Sequence, residues 1–299
     1  MNNEFGYNPK VLCSKHTKAF IDIIKKNNFY IILSKYVVIC NGPGIHYSLS
    51  VGYMVATAIH QIYNKQIHYV DHIESHILSV FIEHRNKIKF PYIFCLITGG
   101  HCLIGIAYSL GKYVVLTKTI DDAPGEVLDK IARKINLPIH DGKCIEQYAK
   151  KHNQLIESLI NFKTYIKNNK NNEFISFSGI KTRFIYYIKK LSIQELNNQI
   201  YNVCASVQYS VFTIIINSLK KTVNRYIDIK NIAIVGGVAS NYVLKSMIET
   251  TFKYNNIFTT SPKYSCDNAE MVANTFILNQ CCESINSIKH KIYTTNIIN

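Results

Sequence analysis

Apolar and polar positions along this chain follow two periods, and the switches between them outline its elements. Residues 14–27 (SKHTKAFIDIIKKN) place apolar side chains at helical spacing. YVVIC at 36–40 is an apolar run of buried-strand type that ends at Asn41-Gly42-Pro43-Gly44. The pattern then predicts a helix over 48–61, a strand IHYV at 67–70, and a strand YIFCLI at 92–97 that stops at Thr98-Gly99-Gly100-His101. Strands at 103–108 and 113–117 predict hairpins, and 124–134 predicts a helix with Pro124 in its first turn and acidic residues nearby. Residues 164–173 read as a polar loop or linker, and 193–225 as an amphipathic helical region with a connection inside it. The strand NIAIVGG (231–237), a helix at about 240–250 and a helical tail at 266–283 complete the pattern. Strands alternating with helices, with Gly-rich turns after strands, predict an α/β protein. The Lys-rich segment near 84–89 is the expected boundary between lobes.

The 299 residues are 47% apolar, enough for one large domain or two lobes with a sizeable core. No apolar run reaches the roughly eighteen residues that span a bilayer. The opening MNNEFGYNPK has neither an apolar secretory core nor an Arg-rich amphipathic helix, so a soluble intracellular protein is expected. The formal charge of +15 suits a polyanion such as RNA, although Ile, Asn, Lys and Tyr are abundant throughout, including KNNKNNEF at 167–174. Nine cysteines without a C-x-x-C pair predict a reducing compartment and buried thiols, with no nucleophile or zinc ligand among them.

Three Gly turns follow apolar strands: NGPG (41–44), TGGH (98–101) and GGVASN (236–241). Glycine there lets backbone N–H groups approach a phosphate, yet none of the turns has the phosphate-loop or dinucleotide fingerprint. TIDDAPGEVLDK (119–130) gathers Asp121, Asp122, Glu126 and Asp129. Helix capping accounts for Asp121 and Asp122, and less well for Asp129, which could accept from ribose hydroxyls. In DHIESHI (71–77), His72 and His76 share a helical face, and with a third ligand they would suit iron(II) or zinc. A zinc-peptidase motif requires Glu directly after the first His; Ile73 stands there, and Glu74 is turned about 200° away from His72.

In order along the chain, FGYNPKVLCSKH, CNGPG, HIESH, LITGGH, IDDAPGEVLDK, ISFSGIK, CASVQ, GGVASN and CDNAEMVA resemble the motifs of the TsaD family, tRNA N6-adenosine threonylcarbamoyltransferases of bacterial or organellar type. The resemblance implies a two-lobed actin-like/Hsp70-like ATPase fold of the sugar kinase superfamily. The expected lobes are residues 1–88 and 89–299, with the final helix (about 268–290) packing back on the first. It implies one divalent metal per subunit, held by His72, His76 and Asp267, with Fe2+ expected and Zn2+ the alternative. Leu96, Ile97, Thr98, Gly99 and Gly100 would line the phosphate side of the substrate, Asp129 and Gly142 would meet ribose or adenine, and Asn241 the nucleotide at the GGVASN turn. No general base is assigned; Glu126 is a candidate catalytic residue.

The implied reaction moves a threonylcarbamoyl group from threonylcarbamoyl-AMP to N6 of adenosine 37 in tRNAs reading ANN codons. Implied partners are tRNA and either other proteins of that modification machinery or a second copy, with no membrane. The expected compartment is the cytoplasm, or a mitochondrion or plastid for an organellar protein. The rival reading is a catalytically weak or inactive family member serving as a nucleotide-binding or interaction scaffold, with a metallopeptidase third. The chain departs from the family in three places, of which the first favours the rival. About forty opening family residues, including E-T-S-C-D-E-T, have no counterpart, which predicts an incomplete first lobe. His140-Asp141-Gly142 replaces P-G-G, and Tyr47 replaces a Gly.

Overall fold

The computed structural model describes residues 9–152, 160, 167–168 and 173–281. The start of the FGYNPKVLCSKH stretch, most of the 164–173 tract, Cys282 and the chain beyond it lie outside the described residues. The chain forms two compact units, Met1–Ser79 with Asn268–Asn299, and Val80–Asp267.

The first unit is built on a parallel pair, β1 (Tyr36–Gly42) and β2 (Gln66–Asp71), in register from Tyr36↔Gln66 to Cys40↔Val70. Parallel neighbours need a crossover, which α2 (His46–Tyr63) supplies. The helix α1 (Pro9–Leu33) is tied to this crossover where Tyr63 Oη donates to Asn28 Oδ1 at 2.6 Å and Lys65 Nζ to the Ile32 carbonyl at 2.6 Å. The strand β2 runs directly into α3 (His72–Leu78). The last described helix, called α11 below (Ala269–Gln280), also belongs here: Phe276 packs edge-on against Tyr36, with centroids 5.2 Å apart, and tilted against His68 at 4.6 Å.

The second unit carries a seven-stranded mixed sheet. After the short α4 (Phe81–His84) come the antiparallel β3 (Tyr92–Ile97), β4 (Cys102–Ser109) and β5 (Lys112–Thr119). Then follow α5 (Pro124–Lys134), α6 (Gly142–Ala149), β6 (Lys167–Asn168), β7 (Glu173–Ile175), α7 (Ser178–Lys190), α8 (Ile193–Arg225), β8 (Asn231–Val235), a 3-10 turn (Gly237–Ser240), α9 (Tyr242–Thr251), β9 (Asn256–Thr259) and α10 (Pro262–Ser265). The strand order is β6-β7-β5-β4-β3-β8-β9, with β8 parallel to β3 and β9 parallel to β8. β3 is wholly buried, as its unbroken apolar run requires of a central strand.

The expected break inside 193–225 does not occur. α8 is continuous, opened by a capping box in which Ser192 and Glu195 bond reciprocally, and no Gly or Pro interrupts it. Val203, Val207, Val211, Ile214 and Ile215 press one side of it into the core with Phe184, Ile145 and Ile131. α6 and β9 were not predicted. Each is short, and α6 carries one buried turn among charged residues, too little for a periodic signal.

Candidate metal centre and glycine turns

Asp71 ends β2 and begins α3 as its N-cap, its carboxylate accepting from the Glu74 N–H at 2.8 Å while Ser75 Oγ donates to the Asp71 carbonyl. That cap fixes the first turn carrying His72, and His76 follows one turn on, with ring centroids 4.7 Å apart. At the other end of α3, Asn274 of α11 donates to the Leu78 carbonyl at 3.0 Å. α11 starts at its own N-cap, Asn268, whose side chain accepts from Met271 N–H. Asp267 is the residue just before that cap. Its carboxylate and one nitrogen of each imidazole all lie within 4.8 Å of one another, with His76 buried, His72 half-buried and Asp267 exposed. Two imidazoles and a carboxylate with an exposed side suit iron(II) or zinc, so this donor set fits the implied ion.

The TGGH turn joins β3 to β4 as a hairpin, and Gly125 in the first turn of α5 packs against Gly99 at its tip. Thr98 N–H donates to the His101 carbonyl, and Thr98 Oγ1 accepts from the N–H groups of His101 (2.9 Å) and Gly100 (3.3 Å). Leu96 and Ile97, expected to line a substrate, are fully buried in β3, and their side chains belong to the core. The accessible part of that stretch is residues 98–100, and a Cβ on Gly99 or Gly100 would meet nothing within 4 Å. Gly236 differs. It sits at φ +95°, and a Cβ there would lie 2.4 Å from the Ile97 carbonyl oxygen. One on Gly237 would lie 3.3 Å from Cys266 Sγ, which places the GGVASN turn one residue away from Asp267.

The acidic segment divides. Asp121 and Asp122 do not cap α5, whose N-cap is Ala123 with no side-chain bond. Asp121 instead reaches the start of α7, accepting from Phe177 N–H and Ser178 Oγ, each at 2.8 Å, and from Ser176 Oγ. Asp122 bridges Lys130 of α5 and Lys181 of α7. Burial alone would raise its pKa, but the two ammonium groups outweigh that and hold the carboxyl below its usual value. Asp129 behaves oppositely: burial raises it, against the lowering effect of the Gly142 N–H that donates to Oδ1 at 2.8 Å. Glu126 is about half-exposed and lies 3.5 Å from Lys130 Nζ, one turn further along its own helix.

Where the family has Gly, Asp141 is the N-cap of α6, accepting from Cys144 N–H at 2.7 Å with extended φ. The departure therefore supplies a cap, and Gly142 keeps its place, where a Cβ would press on Leu128 at 3.3 Å. Asn241 is buried and committed within the protein: Oδ1 caps α9 and Nδ2 donates to Gln208 Oε1 at 2.8 Å. Gln208, the Gln of CASVQ, and the cap Asp71 were missing from the sequence-derived site, since capping and second-layer contacts leave only short local signals. The buried thiols of Cys102 and Cys204 are pushed up to about 12 by burial, which removes them as nucleophiles.

The fold is shared with HypF proteins. A crystal structure of T. kodakarensis HypF superposes with a TM-score of 0.58 at 15% identity, over 83% of this chain and 40% of that one. A phosphate- and nucleotide-bound full-length HypF gives 0.52 at 12% identity, over 84% of this chain and 39% of that one. Both place the chain in the actin-like ATPase fold. By sequence it is 35% identical over 236 residues to the tRNA N6-adenosine threonylcarbamoyltransferase of Aster yellows witches'-broom phytoplasma, spanning 79% of this chain and 82% of that protein. It is 34% identical over 285 residues to the enzyme of that name from the Wolbachia of Drosophila simulans, covering 91% of this chain and 81% of that one. The TsaD family model matches residues 2–274, and the chain belongs to the TsaD family of tRNA N6-adenosine threonylcarbamoyltransferases.

Proposed function

We propose that this protein transfers a threonylcarbamoyl group from threonylcarbamoyl-AMP to N6 of adenosine 37 in tRNAs reading ANN codons. The observation that carries the reading is the convergence of His72, His76 and Asp267 in a chain that belongs to this family. These three residues would hold one divalent ion, Fe2+ foremost. Bound there, the ion supplies Lewis-acid neutralisation and a template for donor oxygens.

The rest is done by the chain itself. Gly99 and Gly100 leave room for phosphate oxygens at the hairpin tip. The Gly99 N–H would donate to a phosphate oxygen there, while Thr98 Oγ1 braces the turn from inside through Gly100 and His101. Gly236 lets the GGVASN turn close against β3, and Asn241 with Gln208 holds that turn rigid. Asp129 presents a carboxylate to a ribose hydroxyl, fixed in rotamer by the Gly142 N–H. The acceptor N6 loses a proton as the new N–C bond forms and AMP leaves. Glu126, solvent-facing beside Lys130, is the carboxylate assigned to take it.

The test is direct. Metal-loaded protein, with partner proteins of the machinery supplied, is given threonylcarbamoyl-AMP and unmodified tRNA, and the modified nucleoside is measured by mass spectrometry. Modified adenosine is expected from wild type, while His72→Ala should lose both product and bound metal, the metal being counted by elemental analysis. Metal content unchanged in His72→Ala would refute the ligand assignment. Binding of an adenylate analogue without any product would favour the scaffold reading.

A further inference from the structure

α6 starts at the Gly142 N–H bonded to Asp129 and ends on an aromatic pair that the catalytic reading does not use. Tyr148 of α6 and Tyr201 of α8 lie 5.8 Å apart, tilted by 47°, and Lys151 Nζ stands 5.5 Å from one ring centroid and 5.6 Å from the other. Tyr201 is 39% exposed. The solvent side of α6 and of the turn that ends it carries Lys143, Gln147, Lys150 and Lys151, spaced i, i+4, i+7 and i+8, all exposed. One turn before Tyr201, the exposed Asn197 and Asn198 add amide donors and acceptors. Glu146, the acid on this helix, pairs with Lys150 at 3.5 Å and accepts from the Tyr242 N–H at 3.0 Å, so it offsets part of the Lys150 charge in the free protein.

Lysines in a line with a tilted aromatic pair at one end form the arrangement that single-stranded RNA recognises: ammonium groups for phosphates, a ring face for a base, and amides for its edge. We propose that α6 and the facing turn of α8 form an RNA-contact rail, on which Lys143, Lys150 and Lys151 take phosphates while Tyr201, backed by Tyr148, stacks one unpaired base. This rests on the reading that tRNA is the acceptor, and deepens it by naming a surface. At 1.5 Å per residue the rail runs about 13 Å from Gly142 to Lys151. It thus begins beside Asp129, the carboxylate read as facing the ribose of the adenylate donor, and carries the grip on the RNA away from it. Lys151, which caps both rings in the free protein, turns to a phosphate as the base slides onto Tyr201.

The experiment is fluorescence anisotropy of a labelled, unmodified anticodon stem-loop titrated with full-length metal-loaded protein across a series of KCl concentrations. Lys143→Gln/Lys150→Gln/Lys151→Gln should weaken binding and reduce the log–log salt slope by about 2 to 3, the share of three phosphates. Tyr201→Ala should weaken binding roughly tenfold without changing that slope, and Tyr201→Phe should restore it. Melting temperature and metal content control for folding. If Tyr201→Ala gives no folded protein, the lysine variants, all on the exposed face, decide alone. Wild-type affinity and slope in the triple variant would overturn the rail and leave the transferase reading intact. A wild-type protein that binds no stem-loop would overturn both.

Discussion

A Cβ added to Gly236 would sit 2.4 Å from the carbonyl oxygen of Ile97, whereas one added to Gly99, two residues beyond that carbonyl, would meet nothing within 4 Å. Both glycines end apolar strands of one sheet, and both read as phosphate-type turns in the sequence. They are glycine for different reasons. Gly236, at φ +95°, is required by the backbone it occupies and by β3 pressing on it. Gly99 is not required by its neighbours, so its lack of a side chain serves something outside the chain, and a phosphate fits. Gly125 of α5 joins the first kind, since its Cβ would come within 2.7 Å of the Gly99 Cα. The packed glycines therefore buttress the open one.

Substitutions test that division, and the largest effect is expected at Gly236. Gly236→Ala combines a disfavoured φ with a backbone clash and should lower stability by about 3 kcal/mol, read as a fall in the denaturant midpoint. A change below about 0.5 kcal/mol would show that the turn relaxes easily and would erase the distinction. Gly125→Ala gains helix propensity but must push α5 away from the hairpin tip, for a net loss of about 2 kcal/mol. It should also weaken AMP binding, measured by calorimetry, because Gly99 moves with it.

A smaller effect, with a pH signature, is expected at Asp122, which ties α5 to α7 through Lys130 and Lys181. Its folded pKa is depressed, so its contribution is present above the unfolded value near 4 and is lost as pH falls through the lower folded value. Asp122→Asn should cost about 1–2 kcal/mol at pH 7 and almost nothing well below pH 4, followed by thermal melts across pH. Asp129 has the opposite sign. Its raised folded pKa means that ionisation at neutral pH opposes folding, and the penalty is relieved as pH falls through that raised value. Asp129→Asn, which keeps an oxygen for the Gly142 N–H, should leave stability equal or slightly higher at pH 7 while weakening ribose contact. The smallest stability change, within about 0.5 kcal/mol, belongs to Gly99→Ala, yet AMP affinity should drop. Unchanged affinity with unchanged stability would remove the argument for a ligand at that turn.

Much of this was readable before any coordinates. β3, β4, β5 and β8 follow from short apolar runs bounded by Gly, and α5 from Pro124 with its acidic first turn, because strand and helix periods are written locally. The histidine pair was equally visible, since spacing of four on a helix fixes a shared face. Other features were not. Asp121 reaches residues 176–178 at the start of α7 and Asp122 reaches Lys181 of α7 as well as Lys130, and nothing in IDDAPGE distinguishes a carboxylate that caps its own helix from one that reaches another. The family resemblance implied that Leu96 and Ile97 line the substrate, while a central strand buries the side chains on both its faces. α8 was expected to break because it is long; it holds because one capped, uninterrupted apolar side runs the length of the core.

By itself, then, the sequence determined which elements form and which residue types stand at their ends, since backbone sterics and apolar periodicity act over a few neighbouring residues. Only the tertiary structure decided that Asp267, ahead of the last described helix, meets the imidazoles of α3, and which glycines are crowded and which open. Those outcomes depend on distances between segments remote in the chain, which packing sets and local pattern does not encode.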